Sequence, residues 1–169
     1  MPAVTIERST DETVVVMFWH DILAVWMKGP PTIANQRDAE RIASKLLEQW
    51  TRGIAMMVVI GVGLPLPSAE VKRELDAIYR RLAPNLRALS YVVLGSGFHP
   101  TMVRSHLIAS NWVMRRPYAT STTGDVKKGA TWLFYTLGED AERGSVDQFT
   151  QALAAAVRGE APTTLRTRS

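Results

Sequence analysis

The chain has 169 residues, with 20 Lys and Arg against 16 Asp and Glu and no Cys. That length fits one domain, buries roughly 70% of its unfolded surface and needs no disulfide or metal staple. The lack of Cys excludes disulfides, Cys-ligated zinc and Cys nucleophiles. The net charge of +4 is modest, and no Lys/Arg block reads as a nucleic-acid or membrane patch. Arg115-Arg116 and Lys127-Lys128 are isolated pairs of the kind found on solvated helix edges. The N-terminus lacks a basic stretch followed by an apolar run. The apolar stretches around Val14–Trp19 and Ile54–Leu66 fall short of the roughly 20 residues that span a bilayer. A soluble, cytoplasmic protein is the expectation.

Residues 1–12 read as an N-terminal arm. Thr13–Trp19 (TVVVMFW) is β-branched and aromatic and predicts a strand. His20-Asp21 is a short polar break, and Ile22–Met27 (ILAVWM) predicts a second strand, so the pair forms an antiparallel hairpin. Both runs are apolar at odd and even positions, which implies cover on both faces. Gly29-Pro30-Pro31 stops the second strand. In Asn35–Trp50, Ala39, Ile42, Ala43, Leu46, Leu47 and Trp50 make one apolar stripe, with Asn35 as the expected N-cap.

Ile54–Ile60 (IAMMVVI) reads as a buried parallel strand, and Gly61–Pro67 (GVGLPLP) as the loop after it. Ser68 opens an amphipathic helix that Pro84 closes. Its outer charges read as solvated i,i+4 pairs, Asp76–Arg80 among them. Leu89–Leu94 is the next strand, followed by Gly95-Ser96-Gly97-Phe98. A third helix starts near Pro100, and Tyr118–Ser121 is a short last strand. Asp125 caps a fourth helix. Ser145-x-x-Gln148 is a capping box for a fifth, which Gly159 ends.

The expected architecture is an α/β domain over residues 13–138. Its sheet is mixed and mostly parallel, with about five strands, an N-terminal hairpin and helices packed on it. A further helix occupies residues 145–158. Residues 159–169 have little to bury and read as a disordered tail. The extra helix either packs on its own sheet or serves self-association, so a homo-oligomer is one expectation.

Catalytic and cofactor chemistry find no constellation. His99 and His106 are seven residues apart, about 10 Å along a helix, which is too far for one metal. No His-x-x-x-His, G-x-G-x-x-G, G-x-x-x-x-G-K-[ST] or G-x-S-x-G occurs. No metal, no cofactor and no catalytic residue are assigned, and the expectation is a non-enzymatic protein. Gly61 and Gly95-Ser96-Gly97-Phe98 follow predicted strands, where loops line the ligand crevice of open α/β sheets. Leu64 and Leu66 between prolines form an apolar tip that a partner can read. Trp112 beside Arg115 and Arg116 has the composition of an interface hot spot.

From Thr13 to Leu137, the order of elements resembles the STAS domain of sulfate transporters and anti-sigma-factor antagonists. The hairpin TVVVMFWHDILAVWMKG is similar to that family's first two strands. IAMMVVIG and the helix from Ser68 are similar to its central strand and second helix, and DVKKGATWL to its closing helix. The antagonist branch phosphorylates a Ser at the position matching Ser68, typically preceded by Asp. Here Pro67 precedes it. The resemblance implies a regulatory module that docks a protein partner through Gly63, Leu64, Pro65, Leu66, Pro67 and Ser68, with Ser68 as the phosphosite. The alternative is a sensor for a small anion or nucleotide at Gly61 and Gly95–Phe98.

Overall fold

Hydrophobic runs become strands where the pattern predicts them, and one strand more precedes them. The computed structural model describes residues 4–160, and of Leu46 and residues 111–114 only the backbone. The strands are β1 (Val4–Arg8), β2 (Val14–Trp19), β3 (Ile22–Met27), β4 (Ile54–Ile60), β5 (Leu86–Val93) and β6 (Ala119–Thr123). The helices are α1 (Ile33–Gln49), α2 (Ala69–Leu82), α3 (Phe98–Met114), α4 (Val126–Leu137) and α5 (Val146–Arg158). The strands lie in the sheet in chain order, β1 to β6. β1–β2 and β2–β3 are antiparallel, and β3 through β6 are parallel. The fold is thus the expected mixed α/β sheet with helices on it, extended by one edge strand.

That edge strand corrects the reading of residues 1–12 as an arm. β1 offers only Val4 and Ile6 as alternating apolar residues, too short a signal to separate from a loop. It pairs with β2 in the register Val4↔Trp19 to Arg8↔Val15.

Strand alternation divides the core into two layers. Val14, Val16, Leu23, Val25, Met56, Val58 and Tyr91 face α1 and α2, against Ile42, Ala43, Ile78 and Leu82. Val15, Met17, Trp19, Ala55, Met57 and Val92 face α4 and α5, against Leu133, Phe149 and Leu153. Both faces are covered, which is why the strands read as unbroken apolar runs. The C-terminal helix packs on its own sheet. Phe149, Leu153 and Ala156 are fully buried, and the Phe149 ring meets Trp19 edge-on at 6.0 Å.

Side-chain caps fix the helix starts. The first cap is Thr32 rather than Asn35. Thr32 Oγ1 accepts from the Asn35 backbone N–H while Asn35 Oδ1 accepts from the Thr32 N–H, so Asn35 is the third residue of a reciprocal box. Ser68, Asp125 and Ser145 cap α2, α4 and α5 as predicted. α3 begins at Phe98, two residues before Pro100.

One buried ion pair ties the α4–α5 connection to the β2–β3 turn. Arg143 donates from Nε to Asp21 Oδ1 at 2.8 Å and from Nη2 to Oδ2 at 2.9 Å. Arg143 Nη1 donates to the Gly138 carbonyl, and Trp19 Nε1 donates to the Arg143 carbonyl, each at 2.6 Å.

Candidate functional site

Parallel strands β3, β4 and β5 end together, and the chain leaves each toward the same rim. Between α2 and α3 at that rim lies a mainly apolar cleft of about 110 Å³. Met27, Val58, Ile60 and Tyr91 form its sheet side, Leu75 and Tyr79 one wall, and Val103 and Leu107 the other. Leu64, Pro65, Leu66 and Pro67 contribute a further wall. Gln36, Lys72, Asp76, His106, Ser110 and Arg116 add polar groups.

The chain folds this way locally for identifiable reasons. Gly61 packs against β3, where a Cβ would sit 2.7 Å from the Met27 carbonyl oxygen. The loop then turns at Gly63, whose φ is +74°, a conformation that favours glycine. Leu64 is half-buried, whereas Val62 and Leu66 are exposed. Ser68 ends the loop with its Oγ accepting from the Val71 backbone N–H at 3.3 Å. One turn on, Lys72 pairs with Asp76 at 3.1 Å. This pair replaces the expected Asp76–Arg80 pair. Arg80 instead donates from Nε to the Asp76 backbone carbonyl at 3.2 Å.

The inner end of the cleft is an aromatic cluster around a cation. The Arg116 guanidinium sits 4.6 Å from the centre of the Tyr79 ring and donates to Tyr118 Oη at 2.6 Å. Tyr79 and Tyr91 meet edge-on at 6.3 Å. Burial pushes the Tyr79 hydroxyl well above its usual range and raises Tyr91 and Tyr118 as well, so all three stay neutral phenols at pH 7.

The two glycine loops meet at this rim. A Cβ on Gly95 would lie 3.4 Å from Val62 Cγ1. Gly95 and Gly97 have φ of +102° and +99°, so both serve the turn into α3. Arg104 closes that turn, donating from Nη2 to the Val93 and Gly95 carbonyls at 2.9 and 2.8 Å. Ser96 is exposed, and Phe98 stands 85% exposed at the start of α3. The structure therefore brings Gly61–Ser68 and Gly95–Phe98 side by side. The Trp112 side chain lies outside the described residues.

Sequence reasoning missed the walls of the cleft. Tyr79, Tyr91, Val103 and Leu107 sit on inward stripes and read as ordinary core. His20 is elsewhere, at the β2–β3 turn, with Nε2 3.1 Å from Asp140 Oδ2. Among the described residues, no group of three or more His, Asp or Glu is placed to hold a metal ion. None of their helices is long and apolar enough to cross a membrane.

No protein-family model matches the chain, and no curated protein does. A solved structure is similar: an uncharacterized protein of the DUF3478 family with a SpoIIAA-like fold, from Shewanella loihica PV-4. The two share 17% identity at a TM-score of 0.52, over 78% of this chain and 93% of that one. The chain has a STAS-like, SpoIIAA-like fold.

Proposed function

We propose that this domain is a non-enzymatic regulatory module of the cytoplasm that docks a protein partner through Gly63–Ser68 and the cleft beside it. The carrying observation is the size and lining of that cleft. At about 110 Å³ it is well below the 300–1,000 Å³ usual for small-molecule sites. It is closer to the 150 Å³ cavity that holds one benzene. That is room for a single apolar side chain, the anchor-in-pocket arrangement that concentrates binding energy at interfaces. Val62, Leu66, Phe98 and Met102, all exposed, provide apolar surface on the adjoining loops and the start of α3.

Ser68 supplies the gate in this reading. It is exposed, caps α2 and stands four residues before Lys72. A phosphate there meets the free N–H groups and positive end of α2 and competes with Asp76 for the Lys72 ammonium. The charge lies beside an apolar docking surface, so it weakens the partner.

The test compares co-purification from the protein's own cells by native mass spectrometry. Leu66→Asp should lose the partner at least tenfold while circular dichroism and melting temperature stay unchanged. Ser68→Glu should bind more weakly than Ser68→Ala. Equal capture by wild type and Leu66→Asp would remove the loop from the interface.

The second reading, a sensor for a small anion or nucleotide, draws on the contact between the Gly61 and Gly95 loops. A thermal-shift screen separates the two. Ligand at 100 times its dissociation constant adds about 2.7 kcal/mol to stability. A phosphate or nucleotide that raises the melting temperature, with no protein captured, selects the sensor.

A further inference from the structure

The last helix ends beside an outer edge of the sheet. Gly159 caps α5 at a φ of +78°, and the Glu160 N–H donates back to the Ala155 carbonyl at 3.0 Å. Arg8, the last residue of β1, reaches that end. Its Nη2 donates to the Ala156 carbonyl at 3.1 Å, and a Cβ on Gly159 would lie 3.9 Å from the same nitrogen. The chain that follows, residues 161–169 (APTTLRTRS), therefore sets out from a point over the last residue of β1. Among the described residues, β1 is an edge strand that pairs with β2 alone.

The hydrogen bonds of β1 fix which of its backbone groups face outward. The Ser9 N–H donates to the Val14 carbonyl at 2.9 Å, in the register that continues Arg8↔Val15. Antiparallel strands exchange bonds at every second residue, so Thr5, Glu7 and Ser9 bond to β2. Val4, Ile6 and Arg8 turn their N–H and C=O groups to the open side. Side chains alternate independently of this. Val4 and Ile6 are half-buried on the face that carries α5, with Val157. Thr5 and Glu7 point to the other face, where Glu7 pairs with Lys45 at 3.6 Å.

We propose that residues 163–167 (TTLRT) add to this edge as a seventh strand, antiparallel to β1 with Leu165 opposite Ile6. Thr163 then stands opposite Arg8 and Thr167 opposite Val4, and these three carry the backbone groups that bond to β1. Pro162 falls at a position whose N–H would face solvent, where an edge strand tolerates Pro. Leu165 joins Val4 and Ile6 on the α5 face. Arg166 lands on the face of Glu7, diagonal to its carboxylate. The Thr-rich sequence suits a strand. Four residue steps from Gly159 to Thr163 span up to about 14 Å, enough to turn from the helix end onto the strand. A slide of two residues either sets Leu165 against Arg8 or leaves Glu160 alone to make the turn. The edge is thus covered from within the chain. None of the residues lining the α2–α3 cleft belongs to β1.

Residue-resolved amide hydrogen exchange tests this. The Ile6 N–H of the full chain should exchange at least tenfold more slowly than that of a chain ending at Glu160. Leu165→Pro removes a donor to β1 and should match the shortened chain. Thr164→Pro changes an outward position and should keep the protection. Equal exchange in the full and shortened chains, or in the two Pro variants, overturns the proposal. So does protection that grows with protein concentration, which makes a second copy the occupant. The chain has no Cys, so two introduced ones report on each other. Val4→Cys/Thr167→Cys should bond within one chain on mild oxidation, because directly opposed residues lie within disulfide reach. Val4→Cys/Thr163→Cys, four positions out of register and about 14 Å apart, should not. Equal yields from the two pairs likewise overturn it.

Discussion

Replacing Arg143 by Met tests what anchors the C-terminal helix. The side chains of Arg143 and Asp21 are 3% and 7% exposed, so the substitution leaves a carboxylate buried without its bidentate partner. Breaking a buried pair from one side costs about 3–5 kcal/mol. Arg87 holds Nη1 at 3.8 Å from Asp21 Oδ2 and remains as a partial substitute, which favours the lower end, about 3 kcal/mol. The Gly138 carbonyl also loses its 2.6 Å donor, adding about 1 kcal/mol. The expected total of about 4 kcal/mol corresponds to a fall in melting temperature of roughly 8–16 °C for a domain of this size. Asp21→Asn/Arg143→Met removes both charges and should cost less than the two single changes summed, with a coupling of at least about 2 kcal/mol. Urea unfolding of the four proteins measures this. A cost under about 1 kcal/mol for Arg143→Met, or simple additivity, would refute an anchoring pair.

Three further outcomes are expected. Gly129→Ala should destabilise, although Ala favours helix by about 1 kcal/mol, because its Cβ would lie 2.7 Å from Val92 Cγ2 and 3.0 Å from Ser90 Oγ. A neutral or raised melting temperature would show that this contact yields. Ser90→Ala should stabilise by about 1 kcal/mol, since Ser90 Oγ is buried without a hydrogen-bond partner. Loss of stability in chemical denaturation would contradict that. Acid should act on Asp11, whose pKa is lowered from 3.8 to about 2, first by the Ser9 hydroxyl and then by the Thr13 hydroxyl and backbone N–H. A depressed folded-state pKa gives stability that is present above pH 3.8 and lost as pH falls toward 2. Asp11 is exposed, so screening keeps the effect small. Asp11→Asn should flatten the stability–pH curve across that window, and parallel curves for the two proteins would rule the carboxylate out.

Much of the fold was legible because most signals are local. β2, β3 and β4 are unbroken apolar runs, and Ser68, Asp125 and Ser145 announce α2, α4 and α5 by side-chain chemistry within four residues. β1 was not legible, because two apolar residues in five make no pattern. The cap of α1 was displaced by three residues, because Thr32 and Asn35 cap reciprocally and either residue alone looks sufficient. The apolar character of the loop at Leu64–Pro67 was legible, although Leu64 is half-buried against the cleft and only Leu66 of the two leucines is exposed. The cleft it borders was not, because Leu75, Tyr79, Val103 and Leu107 meet only once α2 and α3 lie side by side. Arg116 is a further case. Its neighbour Arg115 is exposed, and nothing in the dipeptide tells which of the two will stack on Tyr79.

The sheet is assembled in chain order, and this bears on how the protein is made. Each strand pairs with the strand that precedes it, so a chain leaving the ribosome can extend its sheet one strand at a time without waiting for a distant segment. The face later covered by α4 and α5 cannot close in the same way. Trp19 and Asp21 are synthesised early, yet their partner Arg143 lies more than a hundred residues downstream. Until α4 and then α5 emerge, Met17, Trp19 and Met57 have no helix over them, and until Arg143 arrives the Asp21 carboxylate has only Arg87, at 3.8 Å, to meet. Synthesis thus has a period in which one side of the nascent sheet is apolar and open, and stalling before α4 is the point at which aggregation threatens most.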